Sequence, residues 1–214
     1  MKRLLGLVLV LLSVCVLADE RIIFGSLERE SETEEFNTLG VDIEETDTLH
    51  GFGAQWFKFR DEGIYQRERF TVLTGDRQAC LLETCNSFDT RKVIYSQEVG
   101  IEIGQWIPFV GMSLALSKVE FETDTDSEFE LTKGLIAGTW LKLDTFVLRV
   151  AVLNFNDKDN RVISTTFDDE DNRTISGGLL FQMDNNFVLG AEIGMLLDSK
   201  EDGFSFSLQI GRSF

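Results

Sequence analysis

The chain has 214 residues, which is enough for one domain and short for two. It carries 37 acidic residues against 20 basic ones, a net charge of −17. Because contacts to phosphate need clusters of lysine and arginine, this balance argues against a nucleic-acid-binding protein. A single proline, 18 glycines and 18 phenylalanines favour a strand-rich protein over a helical one.

The N-terminus has the pattern of a secretory signal peptide. Two basic residues follow the initial methionine, an apolar run extends to Leu12, and Ala18 provides the small residue of a cleavage site. We therefore expect residues 1–18 to be a signal peptide. Residues 19–214 would then form one exported domain.

The strand pattern between the cleavage site and Arg91 is ambiguous. A membrane barrel whose two ends lie on the same side needs an even number of strands, so three of the candidate segments should join the seven that follow. The four candidates are Ile22–Arg29, Phe36–Glu45, Leu49–Phe59 and Ile64–Thr74.

Cys80 and Cys85 are the two cysteines outside the predicted signal peptide. In an exported protein such a pair predicts a disulfide, because that compartment is oxidising. Two free thiols are the alternative. We place the pair in a long polar connection from Thr74 to Lys92, where a bridge would tie one loop locally.

Seven segments after Arg91 alternate apolar residues with small or polar ones. A period of two places every apolar side chain on one face of a strand. Short connections alternate with longer polar ones, as in barrels with short turns on one side of a membrane and longer loops on the other. The segments begin near Lys92, Ile107, Glu128, Thr145, Arg173, Asn186 and Gly203.

Aromatic residues are expected to form a girdle at the short-turn rim of such a barrel. The residues predicted to lie there are Trp106, Trp140, Phe146, Phe181, Phe187 and Phe214.

The final segment has the clearest pattern. Phe204, Phe206, Leu208 and Ile210 alternate with serine, glutamine and glycine, and the chain ends on Phe214. The opposing face is serine, glutamine and glycine without a charge, which suits a tight lumen better than a water-facing surface.

These features together resemble the small bacterial outer-membrane β-barrel proteins of the OmpA/OmpX kind. The resemblance implies an all-β, closed, antiparallel up-and-down transmembrane β-barrel in the bacterial outer membrane. We expect about ten strands, with eight or twelve as alternatives. It also implies that Phe204, Phe206, Leu208, Ile210 and Phe214 form a C-terminal assembly signal read by the barrel insertion machinery. Arg212 departs from that pattern, because the third residue from the end is usually apolar or aromatic.

Several charged residues fall on the small or polar side of their strands, which in a narrow barrel is the lumen. A buried charge needs a partner, so we expect Arg149 to bridge at least one glutamate. The main interpretation is a charge network that fills the lumen; the alternative is a selective path for a small solute. The inward residues are Asp42, Glu44, Glu98, Glu102, Arg149 and Glu192, of which Glu98, Glu102, Arg149 and Glu192 form the predicted network.

Two acidic clusters, at 122–126 and 168–171, fall in predicted loops. Divalent cations are candidate partners there, since calcium prefers oxygen ligands, but neither cluster has EF-hand spacing, and solvated loop charge is the favoured interpretation. The one histidine, His50, has Asp47 three residues before it and no nucleophile motif nearby. We therefore predict no catalytic, cofactor or metal site.

The sequence thus predicts a non-enzymatic outer-membrane protein with a structural, adhesive or surface-interaction role carried by its extracellular loops. Outer-membrane lipid and lipopolysaccharide are its expected surroundings. A narrow, porin-like channel for small solutes is one alternative. A soluble secreted β-barrel that binds an apolar ligand is another, and it would place Phe204, Phe206 and Leu208 inside.

Overall fold

The computed structural model describes residues 20–38, 41–59, 63–81, 84–120, 127–156, 172–197 and 201–214. The predicted signal peptide and both acidic clusters lie outside these ranges. Within them, no helix is long and apolar enough to cross a membrane. The strands are β1 (Glu20–Thr38), β2 (Val41–Phe59), β3 (Ile64–Leu81), β4 (Thr84–Ile101), β5 (Trp106–Glu120), β6 (Ser127–Leu143), β7 (Phe146–Asn156), β8 (Asn172–Gln182), β9 (Phe187–Leu196) and β10 (Glu201–Ser213).

These ten strands form one closed barrel in which each strand pairs antiparallel with its neighbours in the sequence. The seam is the pairing of β1 with β10, which runs in register from Ile22 opposite Ser213 to Glu34 opposite Glu201. Backbone hydrogen bonds between Arg21 and Phe214 extend this seam to the last residue. The predicted fold class and the strand number of ten are confirmed.

Two predicted boundaries near the start were wrong. The candidate segment Phe36–Glu45 is not a strand of its own, because it spans the connection between β1 and β2, each 19 residues long. The predicted polar loop from Thr74 to Lys92 is instead the paired end of the β3–β4 hairpin. Polar residues on both faces resemble a loop in sequence, although here they continue a regular strand ladder.

The β3–β4 hairpin contains the predicted disulfide. Cys80 and Cys85 oppose each other in the ladder, next to the pair formed by Leu81 and Thr84. The bridge therefore locks the tip of this hairpin, and on its β3 side Cys80 is also paired with Glu44 of β2.

The two ends of the barrel differ. One end, here called the turn end, holds the chain ends of the barrel and the connections β4–β5, β6–β7 and β8–β9, which span two to four residues. The opposite end, called the outer end, holds the ends of the 18- and 19-residue strands of β1–β4. The wall is thus tallest at these four strands.

An apolar belt surrounds the barrel. Large apolar side chains that a soluble protein would bury are exposed on every strand, so this surface is suited to hydrocarbon. On β10 all five residues of the predicted terminal signal face outward. The most exposed belt residues include Phe52 at 70%, Val110 at 67%, Phe214 at 67% and Ile210 at 59%.

The belt ends before the outer end of β1. Outward residues on this strand change from Ile23 and Leu27 to Arg29 and Glu35, all of them exposed. The segment of β1 beyond Arg29 therefore stands in water.

Gly51 and Gly75 let β2 and β3 approach closely above the lumen. A Cβ atom at Gly75 would lie 2.0 Å from the carbonyl oxygen of Thr48, and one at Gly51 would lie 1.9 Å from the carbonyl oxygen of Val72. Backbone atoms cannot give way as side chains do, so these two positions require glycine.

We predict that Gly75→Ala lowers the free energy of unfolding by about 1–3 kcal/mol, because the strands must separate to admit the methyl group. The matched control is Gly25→Ala, since a Cβ there meets nothing within 4 Å. Urea unfolding of the protein refolded into lipid vesicles would measure both. Equal losses in the two variants would contradict the steric argument.

Candidate functional site

Four buried charges cross the middle of the lumen and are called the charge layer. Arg67 from β3 lies 3.0 Å from Glu98 of β4 and 2.8 Å from Glu192 of β9. Arg149 from β7 lies 2.6 Å from Glu98 and 2.9 Å from Glu192. The side chains of Arg67, Arg149 and Glu98 are no more than 3% exposed. Two guanidinium groups and two carboxylates thus form a ring of ion pairs, and Arg69 of β3 approaches the same Glu192 at 3.6 Å from the side of the outer end.

Neutral side chains satisfy much of the remaining hydrogen-bonding capacity of this layer. Gln55 Oε1 accepts from two nitrogens of Arg67, at 3.0 and 2.7 Å. The Tyr65 hydroxyl donates to Glu98 at 3.0 Å and accepts from the indole N–H of Trp140 at 2.9 Å. These bonds hold the carboxylate of Glu98 in one orientation, which favours a fixed structure over a water-filled path.

Three of the four residues predicted for the lumen network, Glu98, Arg149 and Glu192, lie in the charge layer. Glu102 does not join them: it lies near the turn end, where both carboxylate oxygens accept from Lys142 Nζ at 3.0 and 2.9 Å. Arg67 was missed by the sequence analysis. It lies in the unbroken polar run Gln66–Arg69, where alternation gives no signal for the inward face.

The inward assignment of Glu44 was wrong. Inward residues of β2 are odd-numbered, as the burial of Leu49, Gln55 and Phe57 shows, and Glu44 is exposed on the outside. Side chains on both faces are polar in this part of β2, so the sequence does not reveal which face is inside. Asp42 lies in β2, but its side chain is outside the described part of the structure.

An apolar layer fills the lumen between the charge layer and the turn end. Arg67 and Arg149 each lie with their guanidinium carbon 5.7 Å from the Trp140 ring centre, so the two layers are in contact. Beyond the apolar layer is a chamber of about 340 Å³ that faces the turn end. The layer consists of Ile22, Phe24, Phe57, Tyr65, Ile107, Phe109, Ile136, Trp140, Ala151, Leu180 and Val188.

Trp140 was predicted at the rim and is instead a lumen residue, 3% exposed. Even-numbered residues of β6 face inward, and both faces of this strand are apolar near Trp140, so alternation could not place it. Among the other predicted girdle residues, Trp106, Phe146, Phe187 and Phe214 are exposed close to the turn end.

Arg212 stands at a position of β10 where an apolar residue was expected, but its contacts suit the rim of the membrane-facing surface. Its guanidinium carbon lies 5.9 Å from the ring centre of Phe187 and 5.6 Å from that of Phe214. An arginine can keep its charge at the membrane interface while its stem and planar group cover aromatic rings. The apolar pattern of β10 is therefore interrupted only at the rim.

A cavity of about 310 Å³, called the outer cup, lies on the other side of the charge layer. Its wall on β1 and β2 is acidic. Two of these carboxylates are neutralised from β3 and β4: Asp47 accepts two hydrogen bonds of 2.8 Å from Arg77, and Glu30 pairs with Lys92. The acidic residues of this wall are Glu30, Glu32, Glu34, Glu45 and Asp47.

The floor of the outer cup joins the charge layer. Arg69 forms an ion pair with Glu28, whose other oxygen accepts from Ser26 at 2.5 Å. Beside them lies Thr71, which is 2% exposed and whose hydroxyl has no hydrogen-bond partner in the described part of the chain. Arg149, which also lines the cup, has a second buried polar atom without a partner, its Nε.

Glu32 lies on the part of β1 beyond the belt, and burial raises the pKa of its carboxyl group. The nearby carboxylates of Glu30, Asp47 and Glu34 raise this pKa further, while Lys92 lowers it. The ionised form of Glu32 is therefore held at a cost to the folded protein.

No protein-family model matches the chain, and no curated protein matches it in sequence. Solved structures do match. The β domain of the Bordetella autotransporter BrkA superposes with a TM-score of 0.53 at 9% identity, over 90% of this chain and 98% of that one. The translocator domain of the autotransporter NalP from Neisseria meningitidis gives 0.54 at 12% identity, over 100% and 96%. Ail, the attachment invasion locus protein of Yersinia pestis, gives 0.47 at 14%, over 93% and 100%.

The fold is that of an outer-membrane β-barrel. The chain's own apolar belt supports the location independently, because a closed barrel with an apolar exterior and a filled polar interior is suited to the outer membrane. In bacterial outer-membrane barrels the short turns face the periplasm and the longer loops face the exterior.

His50 and Asp47 do not form a catalytic pair in this outer-membrane barrel. His50 is exposed on the outer face of β2, whereas Asp47 faces the lumen and binds Arg77. The two side chains therefore lie on opposite faces of one strand.

We predict that Arg149→Met lowers the free energy of unfolding by about 3 kcal/mol, because Glu98 and Glu192 then share fewer cations in a buried site. The double variant Arg149→Met/Glu192→Met should lose less, since the Arg67–Glu98 pair remains balanced. Arg29→Met, at an exposed outward position, is the control and should change little. Urea unfolding in vesicles measures all three. A double variant less stable than the single one would show that the charges are not coupled as described.

We predict that Glu32→Gln stabilises the folded barrel at pH 8 by on the order of 0.5 kcal/mol. Folding raises the pKa of Glu32, so its penalty is present above that pKa and disappears as the pH falls through it towards 4.5. Urea unfolding between pH 4 and pH 8 would measure the effect. Glu35→Gln, on the opposite face of the same strand, should show no such pH-dependent gain.

Proposed function

We propose that the protein is a non-conducting, non-enzymatic outer-membrane barrel that presents a binding surface to the cell exterior. The observation that carries this proposal is the closed lumen beneath an open outer cup. A structural, adhesive or surface-interaction role then belongs to the segments beyond the belt.

The charge layer supports the non-conducting half of the proposal. A solute crossing the lumen would have to separate Arg67 and Arg149 from Glu98 and Glu192 inside a low-dielectric wall. It would then have to displace the apolar layer around Phe57 and Trp140. The narrow-channel alternative requires both layers to move.

The height of the barrel wall at β1–β4 supports the second part of the proposal, a binding surface presented to the cell exterior. Both hairpins formed by β1–β4 continue past the belt, and the disulfide between Cys80 and Cys85 fixes the tip of one. A rigid, polar hairpin held above the membrane provides contact area at little cost in conformational entropy. Surface recognition is the role best served by such an extension.

The soluble alternative requires the apolar residues of β10 to be inside. Phe204, Phe206 and Leu208 are instead 44%, 40% and 49% exposed on the outside. We propose that lipid, with lipopolysaccharide in the outer leaflet, covers them. The barrel insertion machinery is the proposed reader of the same strand before it is inserted.

We predict that the purified protein produces no stepwise currents in a planar bilayer and no uptake of a neutral sugar into liposomes, because both lumen layers are buried. A general porin added to the same bilayer serves as the positive control. Reproducible unit currents from the folded, heat-modifiable protein would overturn the proposal that the barrel does not conduct.

The proposed binding surface is tested by shortening the β3–β4 hairpin, with residues 77–88 replaced by an Asn-Gly turn. A non-adherent laboratory strain displaying the full protein should bind to surfaces or to other cells more than the same strain displaying the shortened barrel. Equal binding at equal surface amounts would contradict a role for this hairpin.

A further inference from the structure

The acidic wall of the outer cup is arranged as a ladder. Glu30, Glu32 and Glu34 face inward at successive alternate positions of β1, so neighbouring carboxylates start about 7 Å apart along the strand. Glu30 is neutralised by Lys92. In the described part of the chain, Glu32 and Glu34 form no ion pair with a lysine or arginine.

The remaining walls have a different chemistry. On β4, β6 and β7 the cup is lined by Ile94, Ile136 and Leu153, with hydroxyl groups between them. Besides members of the charge layer, these strands also contribute two charged residues to the lining, Lys92 on β4, which is paired with Glu30, and Glu130 on β6. At the floor, the buried hydroxyl of Thr71 has no partner and borders the cavity. A ligand that suits this cup has separated positive charges for one wall and an aliphatic stem for the other.

A metal ion does not suit this arrangement. The carboxylates are distributed along the wall, and among the described residues no group of three or more histidine, cysteine, aspartate or glutamate side chains converges on one point. A compact cation needs several ligands within about 2.6 Å of one centre. An extended cation needs carboxylates at intervals, which is what the ladder provides.

The size of the cup also favours a small ligand. Its volume of about 310 Å³ is at the lower end of the range of about 300–1,000 Å³ found for small-molecule pockets. The net charge of −17 would concentrate polycations near the barrel before they enter.

We propose that the outer cup binds a linear aliphatic polyamine, with ammonium groups on Glu32 and Glu34 and methylene groups against the wall of Ile94, Ile136 and Leu153. The Thr71 hydroxyl accepts a hydrogen bond from an ammonium group that reaches the floor. This inference rests on the proposed function, because it requires a cup that is open to the exterior and closed below.

The test is isothermal titration calorimetry of spermidine into the full protein in nanodiscs of zwitterionic lipid. We expect saturable binding of one spermidine per barrel. Glu32→Gln/Glu34→Gln should weaken it at least tenfold, because both unpaired carboxylates are removed. Glu35→Gln/Glu44→Gln removes the same charge from the outer face of β1 and β2 and should leave it within twofold. Heat-modifiable migration must show that both variants are folded.

Each of the following results would overturn the inference. Equal weakening by both double variants would show attraction to the overall charge alone. Displacement of spermidine by an equimolar amount of calcium would indicate a metal site, and tighter binding of a short lysine-rich peptide than of spermidine would indicate a protein ligand. Absent binding with silent bilayers would reject the polyamine and keep the proposed function. Unit currents would reject the proposed function itself.

Discussion

Backbone groups in hydrocarbon have no water to bind, and this constraint governs the rest of the structure. Each strand must pair on both sides, which is possible only if β1 meets β10 and the sheet closes. The even number of antiparallel strands brings the start of β1 and the end of β10 to the turn end, and closure divides every strand into a lipid face and a lumen face. With ten strands the lumen is narrow enough for side chains to fill. The charge layer, the apolar layer and the outer cup are three ways in which this enclosed face is occupied.

The contents of the lumen change in order from the turn end to the exterior. Aromatic and aliphatic side chains come first, then balanced ion pairs, then a cup with unpaired carboxylates. Buried ion pairs contribute little net stability compared with apolar packing, so their value here is better sought in the fixed geometry that they impose. Gln55 and Tyr65 hold Arg67 and Glu98 in place, and these two charged residues line the cup from below. Apolar packing is thus concentrated toward the turn end, and the open cavity lies toward the outer end.

The fold could be predicted from the sequence because lipid imposes strict alternation. In most segments from Ile107 to the C-terminus one face is apolar and the other small or polar, which predicted the direction of the chain and the outward face of Phe204. The number of strands also needed the requirement for an even total, and eight or twelve stayed open until the structure showed ten. Alternation does not show which face of a strand is inside where both faces are polar or both are apolar. Where both faces are polar, Arg67 was not predicted as a lumen residue, Glu44 was assigned to the wrong face and the β3–β4 hairpin was predicted as a loop. Where both faces are apolar, Trp140 was predicted at the rim although it lies in the lumen. The cup depends on register between β1, β2 and β4, which a single strand does not encode.

The origin of the charge layer in four separate strands has a consequence for assembly. Arg67 and Glu192 are 125 residues apart, and Arg149 and Glu98 are 51 apart. A sheet that has paired β3 to β8 but lacks β9 would hold Arg67 and Arg149 against Glu98 without Glu192, the second carboxylate of the charge layer. Such an intermediate is poorly suited to the bilayer interior, because an unpaired charge there is strongly unfavourable. The final hairpin thus completes the electrostatic balance in the same step that closes the seam, and a barrel arrested before that step would remain exposed to proteolysis.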